Sequence, residues 1–349
     1  MAYTTIDDPT IYFNTKLYTG NATDDTTISG VGFQSDWTWI KSRSDASWHQ
    51  VTDSVRGAGN VISTNSNGAE SNFSSLKSFN SDGFVLSDNS NFNGNGVTFA
   101  SWNWKMGTSF SNDTSATGVG SIDSSGSINT TAGQSIISWT GSGSAGSVAH
   151  GLGAQPQIVF VKNRSDTASW NVYTVIGGGG KGLFLNEQNG FDSDSSYFNN
   201  GTASTTTFPV GTANTANGSS DNMIAYCFAN VKGYSKIFQY EGNSNSDGTY
   251  IHLGFKSAFI MVKPVDASDN WVMFDNKRHD AKNSSTSPFF NYANKDFAET
   301  TDTKQIDITS TGFKIRSSGN TVNRSSTFIG MAFAESPFVN SKGVPTNAR

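Results

Sequence analysis

The sequence predicts an all-β protein built as three tandem β-sandwich modules, and three observations carry that expectation. The first is an internal repeat. An aromatic residue, one spacer and a glycine recur at Tyr18/Gly20, Trp139/Gly141 and Tyr240/Gly242. Twenty-one residues after each glycine a lysine closes an apolar run, at Lys41, Lys162 and Lys263, and a tryptophan follows seven or eight residues later, at Trp48, Trp170 and Trp271. The second is a matching tail. Phe84, Phe208 and Phe313 each stand 18 residues before a large apolar side chain, Trp102, Tyr226 or Met331, and the tails close on Trp104, Phe228 and Phe333. Fixed register held three times is the mark of a repeat array. The third is texture: short alternating runs separated by Gly, Asn, Asp and Ser, only seven prolines, and no sustained helical period.

Taken in order, residues 1–15 are a lead-in and 16–106 the first sandwich. In DWTWIKS, Trp37, Trp39 and Lys41 share one strand face, while Asp36, Thr38 and Ile40 share the other. SWHQVTDS continues as a strand, SDGFVLS places Asp-Gly as a turn before another, and GVTFASWNWK closes the unit. Residues 107–134 carry few large apolar side chains beyond Phe110, Ile122 and Ile128, and read as a polar linker or long loop. The second sandwich spans 135–232 and the third 233–335, with a tail over 336–349. No spacer separates units two and three, so these two are expected to be fixed to one another and unit one to be attached more loosely. Three modest cores are expected, one per unit.

Charged residues make up 15% of the chain, against about 25% in an average protein, and the net charge is −5 with no basic run. Nucleic acid is therefore not an expected partner, because phosphate backbones call for clustered Lys and Arg. No stretch approaches the roughly 20 apolar residues of a membrane span. The N-terminus lacks the basic and apolar regions of a secretory signal. The one cysteine, Cys227, sits in an apolar run and reads as a small buried hydrophobe.

The repeated positions read as scaffold. Trp48, Trp170 and Trp271, with Phe84, Phe208 and Phe313, are expected to be core anchors rather than a ligand platform, because a core position recurs wherever a fold recurs. The three lysines read as solvated strand-edge residues, with Lys41/Arg43 and Lys162/Arg164 forming a small cationic rim. Catalysis is not expected. The five glutamates lack a carboxylate two or four residues away, and the acidic pairs lie in polar loops. The four histidines lack zinc spacing, and IGGGGKG lacks the Ser or Thr and the strand–helix setting of a phosphate loop. No cofactor is expected; Ca²⁺ is the one candidate ion, through the aspartates of GFDSDSS, which do not have EF-hand spacing. Recognition falls to the middles that differ between units, 57–72, 177–206 and 276–300. There Tyr197, Phe289, Phe290 and Tyr292 are the candidate ligand-binding residues, and glycans suit loops rich in Asn, Ser, Thr and Tyr.

The strings GVGFQSDWTWIKSRS, HQVTDSVRGA, SFNSDGFVL and FASWNWK, with TAGQSIISWTGSGSAGSVAHGLGAQPQIVFVKNRS and GYSKIFQYEGNSNSDGTYIHLGFKSAFIMVK, resemble a repeat of tail-fibre and other virion proteins of marine bacteriophages. The resemblance covers Lys16 to Glu335. It implies sandwiches of jelly-roll or concanavalin-like look on a phage particle, and the polar, loop-rich chain without signal or disulfides fits synthesis in the host cytoplasm. It also implies a non-enzymatic tail-fibre or appendage protein contacting other virion proteins and a host-surface glycan or protein, and a homotrimer as the expected oligomer. A capsid decoration or head fibre is the rival reading, favoured by the lack of coiled-coil or collagen-like shaft repeats. A glycan-degrading enzyme comes third.

Overall fold

We describe residues 3–278, 289–300 and 305–346 of a computed structural model. The chain is all-β, and each helix among these residues is a single turn. The repeated landmarks fall on one strand arrangement used three times. In unit one the large sheet has the order Phe13–Thr19, Thr98–Trp104, Trp37–Ser42, Gln50–Asp53. In unit two Gln134–Thr140, Asn222–Ala229, Pro156–Asn163 and Asn171–Thr174 follow the same order, as do Ser235–Glu241, Thr327–Pro337, Phe255–Pro264 and Val272–Asp275 in unit three. All these pairings are antiparallel. A smaller sheet carrying Phe84, Phe208 or Phe313, each fully buried, covers one face of each large sheet.

The opening glycines have a steric cause. A Cβ on Gly20, Gly141 or Gly242 would strike the backbone carbonyl of Gly94, Gly218 or Arg324, just past a one-turn helix. The same turn supplies an asparagine that the sequence reading missed. Asn93, Asn217 and Asn323 accept from the backbone N–H of Asn21, Ser142 and Asn243, so each opener is clamped at its end.

The expectation of three separate cores is wrong by one. Every residue of Trp37–Ser42 is buried, on both faces. Ile40 packs with Phe84 and Phe99 inside unit one, whereas Trp37 and Trp39 face a fourth core shared by all three units. The closing aromatics mark its centre: Trp104, Phe228 and Phe333 touch one another at ring separations of 6.3, 5.6 and 5.5 Å. Three equivalent residues in mutual contact place a pseudo-threefold axis through this triangle. Unit one is therefore not loosely attached; Phe13, Trp37 and Trp104 stand at the centre.

Residues 107–134 are also not a linker. Thr108–Asn112 and Ser124–Asn129 add two antiparallel strands to the edge of unit two's large sheet. An edge strand needs few apolar residues, and Phe110, Ile122 and Ile128 supply them against unit two's core. Gly126 lies so close to the Ile136 carbonyl that a Cβ would collide with it. Cys227 is fully buried in that core, and burial pushes its thiol up to about 12.

Candidate functional site

Counting eight residues on from each lysine gives His49, Trp170 and Trp271, and these three are structurally equivalent. Their backbone N–H groups donate to Asn65, Asn186 and Asn294 at 2.8, 2.8 and 3.0 Å. Their ring nitrogens each reach a carbonyl of the neighbouring unit. Trp170 Nε1 donates to Ser63 O at 2.9 Å, Trp271 Nε1 to Phe184 O at 2.9 Å, and His49 Nε2 lies 2.9 Å from Tyr292 O. A carbonyl only accepts, so His49 carries its proton on Nε2, which leaves Nδ1 to accept from Trp39 Nε1 at 2.8 Å. Trp170 and Trp271 are therefore anchors, at 1% exposure, but between units rather than within one.

Trp48 is not an anchor. It precedes this position by one residue, and one step along extended chain turns a side chain to the opposite face. It is 55% exposed. The matching residues in units two and three are small and tied down. Ser169 Oγ accepts from Asn186 Nδ2 at 3.1 Å and donates to Glu187, and Asn270 Oδ1 accepts from Asn294 Nδ2 at 2.8 Å and from Gln188. In unit one the indole cannot play that part, and Asn65 Nδ2 has no partner among the described residues.

Trp48 stands between two clefts. One, of about 630 Å³, is lined by Ser47, Trp48, Gln50, Val61, Glu70 and Phe73, among others. The other, of about 430 Å³, has Trp48, Lys295, Asp296 and the three equivalent residues Asn65, Asn186 and Asn294 in its wall. Phe73 is 58% exposed, so two large aromatic faces open onto the first cleft. Of the three middles expected to carry recognition, 57–72 lines this groove, and 276–300 reaches it through Asp296.

The lysines are not solvated edge residues either. Lys41, Lys162 and Lys263 are at most 1% exposed. Lys162 Nζ donates to Asn163 O, Ala168 O and Asn67 O at 2.7, 2.8 and 3.3 Å. Lys263 Nζ holds Gln188 O and Pro264 O, and Lys41 Nζ holds Ser42 O and Asp45 O. Burial pulls Lys41 and Lys162 down to about 8 and Lys263 to about 7.

Nor do the arginines form a free cationic rim. Arg164 of unit two grips Glu70 of unit one with two bonds of 3.0 and 2.8 Å. Glu70 also binds Arg56, which pairs with Asp53, and Asp53 takes the Tyr226 hydroxyl at 2.7 Å. The interface of units one and three repeats this with Arg43, Glu299, Arg278, Asp275 and Trp102. At the interface of units two and three, Phe191 N donates to Val265 O where the others have Glu70 to Arg164 and Glu299 to Arg43. Apolar side chains stand there in place of the ions.

Residues 8–337 match the family model described as a domain of unknown function, DUF7483. The chain belongs to the DUF7483 family. No curated protein matches it.

The four loop aromatics do not form a common site in this DUF7483 chain. Phe290 is 2% exposed in unit three's core, a correction to its expected role, because its ring packs on Phe274 and Tyr292. Tyr292 is half-buried and offers its carbonyl to His49. Phe289 is half-buried with Arg43 5.8 Å from its ring, and residues 279–288 of this middle lie outside the described ones. Tyr197 belongs to unit two, packs on Phe184 and donates to Asp192 at 2.7 Å. The GFDSDSS aspartates are thus engaged, Asp192 by Tyr197 and Asp194 by the N–H of Ser196. Among the described residues no group of three His, Cys, Asp or Glu is placed to hold a metal, and no helix is long and apolar enough to cross a membrane.

Proposed function

We propose that this protein is a phage virion component, of the tail-fibre or appendage kind, that touches the host surface through the Trp48 groove. The observation that carries the reading is the break in symmetry at Trp48. Units two and three hold Ser169 and Asn270 at the same place in closed hydrogen bonds, whereas unit one presents an open indole beside the exposed Phe73. Exposed aromatics beside a concave, amide-rich wall are characteristic of recognition rather than packing. The virion setting rests on the resemblance of the repeated strings to phage proteins. No catalytic role is assigned, and virion neighbours and the host surface are the proposed partners.

Capsid decoration remains as a second reading, favoured by the pseudo-threefold body, which suits a seat on a threefold position of a shell. Particles carrying Trp48→Ala separate the two. For attachment they should keep the protein and their heat resistance but adsorb poorly to host cells. Normal adsorption by the Trp48→Ala particles, with fragility when the protein is missing altogether, would favour decoration.

A further inference from the structure

Resting on the reading of the groove as a contact surface, we propose that it takes a neutral oligosaccharide of two or more rings, stacked on Trp48 and Phe73 and held by the Gln50 amide. Gln50 is only 4% exposed and lines the 630 Å³ cleft, yet its amide has no partner among the described residues. An amide without a protein partner at the wall of a cleft is free to pair with a ligand's hydroxyl there. The amide is a neutral donor and acceptor, matched to a sugar hydroxyl rather than to a charge.

Charge narrows the class further. The ionisable residues in that cleft are Glu70 and Asp296, both acids, and Glu70 is committed to Arg56 and Arg164. An acidic sugar would find no cation in this first cleft and would face the Asp296 carboxylate, with Lys295 of the second cleft as the one basic residue along the track. Size favours a chain over a single ring. The cleft lies in the middle of the volume range for ligands of several rings, roughly 300–1,000 Å³. Beyond Trp48 the second cleft continues the track to Asn65, whose Nδ2 has no partner among the described residues.

The test is isothermal titration of the full chain with neutral tetrasaccharides of β1,4-, β1,3- and α1,4-linked glucose and of β1,4-linked mannose. Tetragalacturonate is the acidic probe and tetraglycine the extended-peptide probe. At least one neutral sugar should bind, and Trp48→Ala and Gln50→Ala should each weaken it by about tenfold or more at unchanged melting temperature. The proposal is overturned if no neutral sugar binds, if tetragalacturonate or tetraglycine binds as well, or if Trp48→Ala binds normally. Host-cell binding of the same proteins keeps the two claims apart. Cell binding that needs Trp48 but is untouched by every neutral sugar would sink the ligand class and leave attachment standing. Sugar binding without cell binding would do the reverse.

Discussion

Three lysines buried against carbonyls give the molecule an unusual response to pH. An unfolded lysine keeps its proton to about 10.4, whereas folded Lys41 and Lys162 release theirs at about 8 and Lys263 at about 7. Across that window the unfolded state holds more protons, so stability rises with pH. It should then fall above about pH 10, because burial raises Tyr226, Tyr234 and Tyr240 well above their ordinary value. His49 works on the acid side. Burial, with Lys41 and Arg278 nearby, holds it well below the usual imidazole range, so stability is lost as pH falls below about 6.5. Urea midpoints from pH 5 to 11 should show this rise and fall, and Lys162→Met should flatten the climb between pH 8 and 10. Residues 48 and 170 give a sharper contrast. Trp170→Ala should cost about 3–5 kcal/mol, while Trp48→Ala should stay within about 0.5 kcal/mol. Trp170 and Trp271 were legible in the sequence as anchors, but Trp48 was misassigned and His49 was hidden, because a histidine doing a tryptophan's work breaks the letter pattern while keeping its position. Counting from the lysine finds it.

At the scale of elements, the head and tail landmarks were legible, whereas the strand order was read only from the structure, where Tyr18 faces Phe99, Trp139 faces Met223 and Tyr240 faces Phe328. Residues 107–134 were not legible, since an edge strand with one wet face needs little apolar content and resembles a linker. The ion networks were illegible for another reason. Glu70 lies 94 residues from Arg164, and only the packing of two units joins them. These networks are expected to matter mainly when broken. Glu70→Ala leaves fully buried Arg56 short of a carboxylate and should cost about 3 kcal/mol, the lower end for an opened buried pair because Glu70 is partly exposed. Denaturant titration measures it. A loss below about 1 kcal/mol would mean that water replaces the carboxylate. Gly141→Ala, which drives a methyl into the Gly218 carbonyl, should also destabilise, whereas an alanine at Gly153, which has open space but a positive φ, should cost only backbone strain.

For the whole molecule, the all-β class was visible in the sequence but the assembly was not. Alternation showed that Trp37 and Trp39 share a face; it could not show that the face meets Tyr226 and Phe228 of another unit. The consequence is functional as well as structural. The second cleft takes its wall from all three units, through Asn65, Asn186 and Asn294, so that part of the groove exists only when they are joined, and the first cleft takes Asp296 from unit three. Differential scanning calorimetry tests that claim most directly. A body with one shared core should unfold in a single transition whose calorimetric and van't Hoff enthalpies agree, and Trp271→Ala should lower that one transition as a whole. Two or three resolved transitions, with the mutation shifting only one of them, would mean that the units are separate domains and would contradict the account.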